Sequence, residues 1–500
     1  MHNQRTNPIE IDKEEFRQIG YRLIDDISIF FDHIHEKPVT YNRSPSEIQK
    51  IIGDVPLPEN GSEASTLTYK AAELLLNNSL FNGHPKFLGY ITSSAAPIGA
   101  LADLLAASIN PNVGAHILSP IATEIEKQTI KWLCDFIGVS SDYGGILVSG
   151  GNMANFTAFL AARTAKTPSS VKENGIENSK SKYTVYCSKT THTWIEKAVI
   201  LFGLGTKSIR WIATDDSNKI NISVLESTIK MDIDNNCTPL MVVGTAGDVS
   251  TGVVDNLSDI AAISKKYNLW FHVDGAYGAP AAIVPELEKL FKGIEEADSI
   301  ALDPHKWLYS PLEAGCTLVK NPRYLTDTFS SHPEYYNFSK SEDEVAQNFY
   351  EYGLQNSRGF RALKVWLSLQ QLGRSGYEKL ISEDIQLSKL LYSLADKHHE
   401  LEAISQNLSI TTFRYIPKDS ARNVEYLNKL NETLLDVLQA GGEVFLSNAI
   451  VNQQYCLRAC IVNFRTSAKD IEEIIEIVAR EGNMVHSELS KTYKGNTSKI

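Results

Sequence analysis

From His84 to about Gly373 the chain alternates between short apolar runs and stretches with helical spacing, and few architectures accommodate that order. The runs are Gly145 to Val148, Tyr183 to Tyr186, Ser208 to Ile212, Leu240 to Val243, Leu269 to Val273, Ser299 to Leu302 and Cys316 to Val319. Between most of them, at Asn155–Ala165, Trp194–Leu201, Val224–Met231 and Leu257–Tyr267, the spacing is helical. Continuously apolar strands joined by helices form a mostly parallel sheet buried on both faces. The expectation is an α/β domain whose ligands lie beyond the carboxyl ends of the strands.

The flanks differ. Residues 10 to 36 read as one amphipathic helix, with Phe16, Ile19, Leu23, Ile27 and Phe30 on a face, and a second helix is expected from Glu63 to Leu80. This front section, 1–85, has no strands from which to build a core and is expected to pack on something else, such as another subunit. Lys166 to Lys182 reads as a solvated loop, and residues 322 to 357 as a long, poorly periodic loop of the kind that is functional or mobile. After the large domain, 86–373, the remainder, 374–500, carries a long helix, Asn407–Tyr415, a helix near 423–440, Glu443–Ile450, Gln454–Val462 and a last helix at 468–480. That is a small α+β domain.

A formal charge of −12 argues against a general nucleic-acid binder. The start is polar, without a signal-peptide core. The most apolar helix-length stretch, Ala95 to Ile109, carries Asp103 and is too short to span a bilayer. The six cysteines are scattered and show no metal-binding spacing. A soluble, cytoplasmic protein without a metal is expected.

Five candidate groups fall at the predicted strand ends. Ser149-Gly150-Gly151-Asn152 lies between a strand and a helix, where glycines and a helix N-terminus admit a phosphate, although Asn152 could simply cap the helix. His192 sits at the same rim and could stack on a flat ligand or be an ordinary loop histidine. Gly244 to Gly252 is a turn of small residues containing Val249 and Ser250. Asp274 follows a strand, with His272 on the same face. His305-Lys306 follows another. A buried acid and a lysine at neighbouring strand ends are what a pyridoxal phosphate site needs: the lysine forms a Schiff base with the aldehyde, and the acid keeps the pyridine nitrogen protonated. Each motif alone is unspecific. Their joint order is not.

With these residues in place, the chain resembles the group II pyridoxal-phosphate-dependent amino acid decarboxylases, which include aromatic-L-amino-acid decarboxylase and glutamate decarboxylase. The resemblance covers most of the chain. It is carried by His84-Pro85-Lys86-Phe87, Ser119-Pro120 with Thr123-Glu124-Ile125-Glu126, the glycine turn with Ala161 to Thr164, His272 to Tyr277, Asp303-Pro304-His305-Lys306-Trp307, Arg358 to Trp366 and Leu457 to Asn463.

The resemblance implies the aspartate-aminotransferase-like fold (type I), pyridoxal 5'-phosphate as cofactor, and a homodimer whose helical front segment wraps the partner, with the site at the interface. It implies Lys306 as the Schiff-base lysine, Asp274 as the pyridinium partner and His192 as the stacking ring. Gly151 and Asn152 would bind the phosphate, with Ser250, Ala276, Asp303 and His305 as further cofactor contacts. Tyr335, beside Tyr336 in the long loop, would return a proton to the substrate's α-carbon, with His305 as a second candidate. Tyr90, Ile91 and Val249 would form the substrate wall, with Phe87 at its rim. Three departures stand out: Gly151-Asn152 at the phosphate, Asp248-Val249-Ser250 in the small-residue turn, and Asp303 in place of an asparagine. The expected reaction is decarboxylation of an L-amino acid, with an aromatic one expected because no arginine cluster awaits a second carboxylate. The alternatives are a non-aromatic substrate, an aminotransferase, an aldehyde synthase and a non-catalytic cofactor-binding protein.

Overall fold

The computed structural model describes residues 7, 9–176, 179, 181–331, 346–418 and 423–497. Four helices form the front and its junction with the large domain: α1 (Lys13–His33), α2 (Pro45–Ile52), α3 (Ala64–Asn78) and α4 (Pro97–Ile109). The first starts at Lys13 rather than residue 10 because the Asp12 carboxylate accepts from the amides of Glu14 and Glu15 and so caps the helix there. The buried apolar residues of this section lie mostly outside its helices, at Ile34, Val39 and Phe81. Ile19 is the only residue of α1 that is buried, and α2 and α3 bury none.

The large domain follows the predicted alternation: α5 (Pro120–Phe136), β1 (Gly144–Val148), α6 (Gly151–Lys166), α7 (Ser170–Asn174), β2 (Lys182–Ser188), α8 (Trp194–Leu201), β3 (Ile209–Ile212), α9 (Ile222–Asp234), β4 (Cys237–Thr245), α10 (Leu257–Tyr267), β5 (Trp270–Asp274), β6 (Ser299–Leu302) and β7 (Gly315–Val319). The sheet order is β1-β7-β6-β5-β4-β2-β3. Only β7 runs antiparallel to its neighbours, so the sheet is mostly parallel. Its strands are buried on both faces, which is why they read as unbroken apolar runs. The solvated stretch 166–182 contains the short α7, held down by buried Val171.

Beyond α11 (Arg323–Phe329) lies α12 (Ala362–Lys397), which breaks at Gly373, where φ is 62°. Tyr377, Ile381 and Ile385, after the break, still pack on the core of the large sheet. From Leu391 onward the helix joins a second core with β8 (Leu401–Asn407), β9 (Ile410–Tyr415), α13 (Val424–Gly441), β10 (Ser447–Val451), β11 (Gln454–Cys460) and α14 (Ala468–Thr497). Its antiparallel sheet, ordered β10-β11-β9-β8, leans on the site from one side.

Candidate active site

Three parallel strands end side by side. Thr245 closes β4 opposite Asp274 of β5, and Asp274 pairs with Ala301 of β6, two residues before Asp303. The site follows from this register. A cavity of about 960 Å³ opens there. Among the residues singled out from sequence, it is lined by Tyr90, Ile91, Gly151, Asn152, His192, Val249, Asp274, Ala276, Asp303, His305 and Lys306. Ser250 is not in its wall; its amide donates to Asp248 Oδ1 within the neighbouring turn. Tyr335 lies outside the described residues.

Helix α6 begins at Gly151, four residues before the apolar periodicity, so the glycine turn is its own N-terminus. No side chain caps it, which removes the capping reading of Asn152 and leaves the first amides directed outward. Gly150 has φ +135°, and a Cβ on Gly151 would lie 2.5 Å from Asp303 Oδ2. A side chain at 151 would therefore press on the Asp303 carboxylate, and glycine leaves that carboxylate its place beside the helix.

Asp274 is fixed from two sides. Trp194 Nε1 donates to its Oδ2 at 2.7 Å, and the Ala276 amide to its Oδ1 at 3.3 Å. His272, expected on the same face, is fully buried and does not line the cavity. Trp270 Nε1 donates to Ser299 Oγ, whose hydroxyl faces His272 Nδ1 at 2.8 Å; His272 Nε2 faces Asn155 Oδ1 at 2.7 Å. This chain assigns the Nε2–H tautomer, and burial pushes the histidine's pKa down to about 4, so it stays neutral. It braces the strand behind Asp274.

His192 stands at the open side of the cavity, with Nδ1 accepting the Trp194 amide at 3.3 Å. Its Nε2 therefore carries the proton in the neutral ring. Desolvation, the largest influence, lowers its pKa despite its exposed position at the mouth; Asp274 opposes the shift. Lys306 Nζ lies 3.2 Å from Asp303 Oδ2, and His305 Nε2 3.8 Å from the same oxygen. Burial also lowers His305, whose Nδ1 meets the backbone of Ala314.

The wall departs from expectation at one residue. Phe87 is buried, not at the rim, because its ring stacks on Phe445 at 5.3 Å beneath the cavity. Tyr90, at φ +53°, is 57% exposed and does reach the wall. The small domain adds Ser447, Asn448 and Arg458, to which no role was assigned from sequence. Arg458 Nε donates to Ser447 Oγ at 3.0 Å and its Nη1 to the Val249 carbonyl. The one available signal was an arginine within the apolar run Leu457 to Val462.

The cavity fits pyridoxal phosphate. It offers a helix N-terminus cleared by glycine for a phosphate, a lysine for an aldehyde, and an anchored carboxylate for a ring nitrogen. Two buried acceptors at its edge, Thr245 Oγ1 and Asp303 Oδ1, have no partner among the described residues, as polar groups awaiting a ligand do.

Fold and site together define a type I pyridoxal phosphate enzyme. The model of the pyridoxal-dependent decarboxylase conserved domain matches residues 45–416, and the chain belongs to that family. It is a pyridoxal-phosphate-dependent decarboxylase. It is 34% identical to an aromatic-L-amino-acid decarboxylase of Bacillus atrophaeus, over 93% of this chain and 95% of that one. It is 29% identical to a phenylacetaldehyde synthase of a Rosa hybrid cultivar, over 94% of each. The structure of Catharanthus roseus tryptophan decarboxylase in complex with L-tryptophan superposes with a TM-score of 0.86 at 25% identity, covering 96% of this chain and all of that one.

Proposed function

We propose that this protein decarboxylates an aromatic L-amino acid to the amine and carbon dioxide. The observation that carries the reading is the cavity itself. Lys306 and Asp274 stand at neighbouring strand ends, the wall includes Tyr90, Ile91 and Val249, and among the described residues Arg458 is the one arginine in it. An acidic substrate would bring a second carboxylate without a second guanidinium to meet it. The Bacillus and Catharanthus relatives, named for aromatic substrates, support the same choice.

When bound, pyridoxal phosphate supplies an electron sink for the pair left on the α-carbon as the carboxylate departs. In this reading Lys306 supplies the amine that anchors the cofactor and is released when substrate arrives. Asp274, oriented by Trp194, holds a proton at the pyridine nitrogen. His192 presents a neutral ring to the cofactor's face. The amides of Gly151 and Asn152 take the phosphate, with His305 and Asp303 beside them. Tyr335 remains the proposed proton donor to the α-carbon.

A homodimer is part of the proposal. Phe16, Tyr21, Leu67, Leu75, Leu101, Leu104 and Leu105 leave α1, α3 and α4 with large exposed apolar side chains, more than an isolated front section should present to water. A cytoplasmic location is also proposed. The cysteines Cys134, Cys187, Cys316, Cys456 and Cys460 are free and buried, and among the described residues no helix is long and apolar enough to cross a membrane.

The test is a screen of the cofactor-loaded protein against the twenty amino acids, following carbon dioxide and amine. Release of both from aromatic substrates alone supports the reading. A keto acid without carbon dioxide identifies an aminotransferase, and aldehyde with peroxide an aldehyde synthase. Lys306→Ala should abolish turnover. Tyr335→Phe should shift product from amine toward aldehyde.

A further inference from the structure

Asp303 stands where the resembled family has an asparagine, and its surroundings show what the added charge does. Its amide donates to the Ala276 carbonyl and its own carbonyl accepts from the Lys306 amide at 2.8 Å, forming the tight turn after β6. That turn brings the side chains of residues 303 and 306 together, with Oδ2 3.2 Å from Lys306 Nζ. Asp303 is 1% exposed, and the space for its carboxylate exists because Gly151 has no Cβ.

The other acids around the site have partners of their own, Glu313 of the cavity wall pairing with Arg361. Asp274 takes an indole and an amide hydrogen, and Asp248 takes those of its own turn. Asp303 accepts from no backbone amide among the described residues, and its Oδ1 has no partner. His305 Nε2 is farther away, and burial favours the uncharged ring. A buried carboxylate without such donors needs a cation close by, and Lys306 is that cation.

We propose that Asp303 is a positioning residue for Lys306: its Oδ2 is the dock for the lysine ammonium whenever that amine is not covalently engaged. The inference rests on Lys306 being the cofactor-anchoring lysine. Docking matters because the amine must give up its proton before its lone pair can attack the cofactor aldehyde. The ammonium proton passes to solvent, the new bond joins Nζ to the aldehyde carbon, and the carbonyl oxygen leaves as water with the two remaining amine hydrogens. A carboxylate that holds the ammonium delays that attack and keeps a disengaged lysine charged and parked. Around this pair stand Asp274 on β5, His192 before α8, His305 in the same turn, Glu313 in the cavity wall, Cys316 on β7, Arg458 on β11 and Lys364 on α12.

The experiment follows recombination of the cofactor-free protein with pyridoxal, which has no phosphate for Asp303 to repel, and separately with pyridoxal phosphate. The readout is the visible absorption of the lysine-bound cofactor. Asp303→Asn should recombine with pyridoxal about tenfold faster at neutral pH, the scale set by losing an opposite charge at this distance. Asp303→Ser, smaller and uncharged, should do the same, which guards against a folding defect in either variant. Equal rates with pyridoxal overturn the proposal. So does a difference confined to pyridoxal phosphate, since Asp303 would then act on the phosphate alone. Lys306→Ala separates the underlying assumption: a borohydride-reducible covalent bond between cofactor and protein in that variant would refute Lys306 as the anchor. The substrate reading is tested by carbon dioxide release and does not enter this measurement.

Discussion

Trp194 Nε1 donates to Asp274 Oδ2 across 2.7 Å, tying the first residue of α8 to the last residue of β5. Trp194 is fully buried, and its ring meets His272 edge-on at 5.6 Å. One side chain thus orients the carboxylate and packs against the histidine braced behind it. Trp194→Phe keeps most of the packing and removes the donor. A hydrogen bond to a charged group contributes about 1.5–3 kcal/mol. The variant should therefore bind pyridoxal phosphate about 10- to 100-fold more weakly, measured by titrating cofactor-free protein, while its fold is kept as judged by circular dichroism.

Asp384 on α12 is a buried acid that the chemistry above does not use. Its Oδ2 accepts from Trp307 Nε1 at 2.8 Å and from Tyr309 OH at 2.7 Å, the residues flanking Leu308 just after Lys306. Burial pushes its pKa up to about 7, against these two hydrogen bonds, which pull it down. The folded-state value lies above the unfolded one, so folding favours the neutral acid. That contribution is full below the ordinary carboxylate range and is lost as pH rises through about 7. Asp384→Asn keeps an acceptor oxygen and cannot ionise. The wild type should lose stability between pH 5 and pH 8 relative to this variant, by on the order of a few kcal/mol, in denaturant titrations at the two pH values.

The extent of what could be read from sequence follows the range of the interactions. The strand Ser299–Leu302 and the helices Trp194–Leu201 and Leu257–Tyr267 have the boundaries expected of them, because local periodicity and burial agree there. Helix α6 starts four residues early because Gly151 and Asn152 look like a turn until the sheet below gives them room. Strand β8, Leu-Glu-Ala-Ile-Ser-Gln-Asn, is mostly half-buried and has no continuous apolar run to betray it. The strand-end residues Asp274 and Lys306 were legible because a parallel sheet places its site there. Arg458 was not, since it reaches Val249 from 209 residues away, and Phe87 was misplaced because its partner, Phe445, is equally remote in the chain.

Helix α4 provides a direct test of the proposed dimer. Leu101, Leu104 and Leu105 are each at least half exposed on one thirteen-residue helix. If a second copy covers them, Leu104→Asp with Leu105→Asp places two charges in an apolar contact at several kcal/mol each. Sedimentation should then show a dimer for the wild type and a monomer for the double variant. A monomeric wild type, or a variant that remains dimeric, would refute this interface.

Arg458 tests substrate choice most directly. Its Nε is used by Ser447 and its Nη1 by the Val249 carbonyl, so its guanidinium is held rigidly against the cavity, and Nη2 has no acceptor among the described residues. A guanidinium fixed on two sides can meet one carboxylate with its remaining edge and lacks the reach for two. Arg458→Gln should therefore raise KM for aromatic amino acids by about 10- to 100-fold, the scale of a charge-assisted hydrogen bond, while kcat falls less. It should not create activity toward glutamate or aspartate, because it removes the cation those substrates would need. Arg458→Lys keeps the charge but not the two-sided anchoring and should recover only part of the loss. Full recovery by lysine would show that charge alone matters and that the contacts to Ser447 and Val249 do not orient this residue for substrate.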